Sequence, residues 1–173
     1  MSDNFDEKVI THFQRLLPLV TSIVFLLLAY VPVNFGFFYN VRPDFGLMCI
    51  YFWMLHRPDL FGVGSVVVMG GVYAFISSAL PGASLFAYLL MYVLVYNTQK
   101  FFYAKPFIVV WYGFMALSLA AIMVKWLVVS IFYSQFLPLS MVVFSFLISA
   151  ALYPLLSVVL AFVQNRFIQD DGL

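Results

Sequence analysis

The sequence predicts an all-α integral membrane protein, a compact bundle of about six transmembrane helices with both termini cytoplasmic. Three observations carry that prediction. Of 173 residues, 65% are apolar and only 9% charged, whereas soluble domains carry roughly 25% charged residues. The charges are also confined: no Lys, Arg, Asp or Glu stands between Arg15 and Arg42, between Asp59 and Lys100, or between Lys125 and Arg166. The last two gaps are 40 residues each, enough for two crossings apiece at ~20 residues per crossing. Finally, the basic residues fall on one side. With both termini inside, Lys8, Arg15, Arg57, Lys100, Lys105 and Arg166 are cytoplasmic and Arg42 alone is opposite, a bias of the kind that sets orientation. It requires an even number of crossings.

The whole chain, 1–173, reads as one membrane domain. Residues 1–15 place Phe5, Val9 and Phe13 at helical spacing among charges, which predicts an amphipathic interfacial segment or, failing that, a solvated N-terminus. The leader is acidic and 30–33 offers no small-residue cleavage site, which argues against a signal peptide. Crossings are expected at 16–33, 43–56, 60–80, 83–98, 107–133 and 137–163, with 164–173 a cytoplasmic tail. The second, at 43–56, is short. Pro81-Gly82 marks the turn between the third and fourth, because Pro followed by Gly closes a tight hairpin. Pro154 lies within the sixth and predicts a kink near residue 150. Trp53, Trp111, Tyr112, Trp126 and Tyr133 fall near predicted ends, as interfacial anchors do.

Several function classes are poorly supplied. A net charge of +1 provides no basic stripe for nucleic acid. The single cysteine, Cys49, sits in an apolar run, and with His12, His56 and Glu7 as the only residues of their types neither a metal site nor a catalytic set can be assembled. The expectation is a protein that is not an enzyme and takes no cofactor or metal.

Two near-copies stand out, Arg42-Pro43-Asp44-Phe45-Gly46 and Arg57-Pro58-Asp59-Leu60-Phe61-Gly62. Proline suits the first helical position and an aspartate suits the positive end of the helix dipole, so each copy is expected to start a crossing and fix its depth. A second reading has Arg42 or Arg57 contacting a partner or a lipid headgroup. Fifteen residues of helix is about one membrane thickness, so the copies belong on opposite faces.

Lys125 is the one charge well inside a predicted crossing, about two turns from its outer end. It either snorkels to the interface, pairs with Asp44, the one acid available on that face, or binds a partner or a transported species. No second intramembrane acid completes a proton relay. Small residues recur at four-residue spacing at Gly70, Ala74 and Ser78, with Gly71 alongside, and at Ser145, Ser149, Ser157 and Ala161, Tyr153 filling the gap. Such stripes let helices approach closely, either within the bundle or at a lateral interface with another membrane protein.

These residues resemble the rod shape-determining MreD family. The resemblance is carried by Arg42-Pro43-Asp44-Phe45, Tyr51-Phe52-Trp53, His56-Arg57-Pro58-Asp59-Leu60, Val68-Met69-Gly70-Gly71 before Pro81-Gly82, and Leu152-Tyr153-Pro154-Leu155-Leu156. It spans almost the whole chain. It implies a non-enzymatic inner-membrane subunit of the elongation machinery, working with MreC, RodA and a class B penicillin-binding protein, and indirectly with MreB, in lateral peptidoglycan synthesis. There is one departure: many members carry an aspartate four residues after the glycine equivalent to Gly70, and here that position is Ala74. The family's helical plan is also similar to the substrate-binding subunit of energy-coupling-factor transporters. A small-molecule site would then have to be lined by Asn34, Asn40, Asn97, Gln99 and Lys125, most of them at helix ends rather than at the midplane where transporters bind.

Overall fold

The computed structural model describes residues 3–29, 43–77, 81–102, 104–136 and 138–167, with side chains from residue 16 onward, Pro81 excepted. Among the described residues the chain is all-helical, with no strands: α1 (Asp3–Leu28), α2 (Phe45–His56), α3 (Val63–Ser77), α4 (Pro81–Phe102), α5 (Phe107–Tyr133) and α6 (Leu139–Phe167). Two of these, α5 and α6, are long and apolar enough to cross a membrane.

The shortest helix is the centre. α2 has 12 residues, about 18 Å of rise, and every residue from Gly46 to Met54 is buried. Its sequence, FGLMCIYFWMLH, is apolar on all faces, and a helix of that kind is stable only when surrounded. α1, α4, α5 and α6 pack on it, while α3 packs between α1 and α4. Tyr51 of α2 anchors an aromatic cluster, with ring centroids 5.5 Å from Phe114, 5.7 Å from Tyr153 and 6.3 Å from Phe102. Its hydroxyl donates to the Val110 carbonyl at 2.8 Å. A Cβ at Gly113 would overlap the Phe102 ring, so that glycine sets how closely α4 and α5 approach.

The outer surface is the inverse of the centre. Phe75 and Phe136 are 91% and 90% exposed, and Phe132, Phe144, Leu147, Leu155, Val158 and Phe162 are also exposed. Large apolar side chains exposed in this number mark a surface that meets a membrane or another protein.

Four expectations change. α1 runs without a break from the amphipathic stretch into the first apolar stretch, with Pro18 inside it, rather than as two segments divided at residue 15. Pro81 and Gly82 lie in the first turn of α4 and not in a hairpin turn, because a first-turn residue needs no N–H and proline has none. The second Arg-Pro-Asp starts no helix: residues 58–60 form a turn and α3 begins only at Val63. Trp53 is fully buried in α2 and anchors no interface.

α6 continues through Pro154 as one helix. Proline leaves the carbonyl four residues earlier without its helical donor, here that of Ala150, and the Trp111 indole N–H of α5 donates to it at 2.9 Å. The lost backbone bond becomes a tie between two helices, a role for Trp111 that the sequence did not indicate.

Candidate functional site

The first Arg-Pro-Asp builds the site. Pro43 directly precedes Asp44, the N-cap of α2, whose side chain accepts from the Leu47 N–H at 3.4 Å. The aspartate therefore stands just before the helix rather than within its first turn. Capping satisfies one orphan donor and sets a negative charge at the positive helix end. What makes this cap unusual is its depth, since Asp44 is only 6% exposed.

A buried carboxylate needs a counter-charge and hydrogen bonds. Lys125 of α5 supplies the charge, with Nζ 3.1 Å from Asp44 Oδ2. Of the expectations for Lys125, pairing with Asp44 is the one the structure contains. The Tyr88 hydroxyl of α4 donates to Oδ1 at 2.9 Å, and the Asp44 backbone N–H donates to Ser149 Oγ of α6 at 3.0 Å. On the cation's side, Nζ donates to the Tyr73 hydroxyl of α3 at 3.4 Å and lies 4.7 Å from the centroid of that ring, a cation–π contact. Tyr73 and Tyr88 meet edge to face at 5.7 Å. One ion pair thus ties five helices, α2 to α6. Gly46 makes this possible, because a Cβ there would overlap the Tyr88 ring and hydroxyl.

Beside the pair, between α5 and α6, lies a cavity of about 220 Å³ lined by Ile122, Trp126, Val129, Met141, Val142 and Ser145, with Asp44 and Lys125 at its polar end. No group of three or more potential metal ligands occurs among the described residues. The arrangement can hold helices together and offer a hydrogen bond into the cavity; a nucleophile with an adjacent base is not part of it.

The other sequence-picked residues scatter. Arg42 and Ser78 lie outside the described residues, as do Asn34 and Asn40. Arg57 is the C-cap of α2, its N–H donating to the Trp53 carbonyl at 2.8 Å, and Pro58 and Asp59 are exposed. Gly70 is buried against Leu85 of α4, where a Cβ would overlap the leucine side chain, whereas Gly71 faces open space. Ala74 is half-buried beside Tyr73. Ser149 is spent on Asp44, Ser157 is buried and donates to the Pro154 carbonyl at 2.8 Å, and Ser145 lines the cavity. Gly70 and Ser149 thus serve packing inside the bundle. Asn97 is exposed and Gln99 half-buried; neither lines the cavity.

Sequence reasoning missed Tyr73, Tyr88 and Gly46. A tyrosine amid an apolar run is a signal in itself, since a buried hydroxyl needs a partner, but which partner depends on how the helices dock.

Comparison with known proteins returns one family: a model described as rod shape-determining protein MreD matches residues 10–163. Searches of curated proteins and of solved structures return no match.

Proposed function

The chain belongs to the MreD family of rod shape-determining membrane proteins, and from that premise we propose that it is a non-enzymatic subunit of the bacterial elongation complex. In this reading it crosses the inner membrane six times with both termini cytoplasmic, and it assembles with MreC, RodA and a class B penicillin-binding protein, indirectly with MreB, to support lateral peptidoglycan synthesis. The family match over 154 of 173 residues carries the reading. Six helices, an even number, agree with the basic residues gathering on one side, and the one charge deep in α5 is spent on cohesion.

The rival reading is a small-molecule-binding transporter subunit, and the cavity beside Lys125 is the observation in its favour. At about 220 Å³ it falls below the roughly 300–1,000 Å³ that encloses a drug-sized ligand. Depletion in the native host, followed by microscopy and by uptake of vitamin-like solutes, tests both. Loss of rod shape with intact uptake is the expected result; rods that persist while uptake fails would favour the transporter.

Lateral faces remain the proposed means of assembly. Leucine at Gly70 or Ser149 would disturb the bundle itself, so the informative stripe position is Gly71, whose outward direction is open. Gly71→Leu should weaken co-purification with MreC or RodA while leaving the protein in the membrane.

A further inference from the structure

α6 packs deeply along only part of its length, since before Ser149 only partly buried residues such as Val142 and Phe146 meet the core. Its buried residues, Ser149, Ala150, Tyr153, Leu156, Ser157 and Leu160, all lie from Ser149 onward, while Leu139, Met141, Val143, Phe144 and Leu147 before them are exposed. The cavity occupies the gap this leaves beside the C-terminal half of α5, so it is a cleft in the side of the bundle with apolar walls and a polar floor.

The floor is specific. Asp44 is buried and fully engaged, whereas Lys125 is 21% exposed and, among the described residues, two of its three ammonium N–H groups are used, on Asp44 and Tyr73. The third can donate into the cleft. Water alone fits poorly: roughly seven molecules would share few polar partners, and each needs 2–4. A helix, ~10 Å across, is too wide. What fits is part of an amphiphile, an acceptor oxygen on Lys125 with a chain lying along Ile122, Val129 and Val142.

Depth identifies the amphiphile. Lys125 lies eight residues before Tyr133, the end of α5, or about 12 Å along the axis. Trp126 of the cleft lining and Phe136 have ring centroids 6.4 Å apart, and aromatics of this kind are enriched toward the headgroup level. With ~5–8 Å of headgroup on each side of the hydrocarbon, an α5 end at the outer edge of the headgroups leaves the Lys125 backbone ~4–7 Å inside the hydrocarbon, from where its long stem can reach outward to the layer of ester oxygens. Since Asp44 neutralises Lys125, the site selects an acceptor oxygen rather than a net negative headgroup.

We propose that the α5–α6 cleft binds one glycerophospholipid, an ester oxygen accepting from Lys125 and one acyl chain filling the apolar walls. The proposal rests on the membrane reading above. Its test is native mass spectrometry of protein extracted in mild detergent from carbonate-washed membranes, comparing wild type with Val129→Trp and Met141→Trp, which fill the cleft from opposite walls, and with Val143→Trp on the neighbouring exposed face. Wild type and Val143→Trp should retain one phospholipid, and both cleft variants should lower its occupancy at least about tenfold. Re-added dioleoyl phosphatidylethanolamine and dioleoyl phosphatidylglycerol should bind within about threefold of each other. Equal retention in wild type and both cleft variants, or none in wild type, overturns the lipid site alone; a strong preference for the anionic lipid overturns the neutral-acceptor assignment. Absence of the protein from the washed membranes overturns the membrane reading as well.

Discussion

The two Arg-Pro-Asp copies share three residues and part company in everything the fold does with them. In the first, Asp44 caps α2 and is buried with a lysine, a tyrosine hydroxyl and a backbone N–H around it, and Gly46 two residues later leaves room for the Tyr88 ring. In the second, Arg57 closes α2, residues 58–60 turn, Asp59 faces outward, and a Cβ at Gly62 would meet nothing within 4 Å. The reason lies on either side of the tripeptide. A proline pushes the residue before it away from helical backbone, so Arg57 (φ −144°, ψ 68°) must end the helix that arrives from Phe45. One copy lies before the central helix and the other after it. The same residues therefore build a buried cap in one place and an exposed turn in the other.

The largest separation between the copies is expected from alanine at each aspartate. Asp44→Ala leaves Lys125 without its counter-charge and should cost about 3–5 kcal/mol, read as a lower unfolding midpoint in detergent; Asp59→Ala should stay within ~0.5 kcal/mol. If the pair alone is responsible, the double variant Asp44→Leu with Lys125→Met should recover most of that loss, since removing both charges of a buried pair is often close to neutral. Tyr88→Phe, which removes one hydrogen bond to the Asp44 carboxylate, should cost about 1.5–3 kcal/mol. Next come the glycines: Gly46→Ala should cost ~1–3 kcal/mol through overpacking, while Gly62→Ala should be neutral or stabilise by ~0.4–1 kcal/mol. Equal losses at Gly46 and Gly62 would show that the close contact with Tyr88 does not constrain α2.

Much of this was legible in the chain because charge is so scarce. With Lys125 the one charge deep in a long apolar run, Asp44 was its only acidic candidate, so the pair stood among three readings and the geometry selected it. The expected fifth segment, 107–133, has the bounds of α5 because a hydrophobic run between Pro106 and Ser134 leaves little choice. What stayed hidden needed docking. Tyr73 and Tyr88 are single hydroxyls on helices whose rotation no apolar sequence specifies, and Trp111 gained its role from an orphan carbonyl created by a proline 43 residues away. The burial of Trp53 was hidden too, because a short helix that is apolar on every face does not say whether lipid or protein surrounds it.

The central claim is that a buried ion pair holds together a bundle whose task is cell shape. Replacing the native gene with Asp44→Ala or Asp59→Ala alleles and measuring cell length-to-width ratio tests it in one comparison. The account predicts rods with Asp59→Ala and rounded cells with Asp44→Ala. Rods of normal proportion with Asp44→Ala, at wild-type protein level in the membrane, would contradict it.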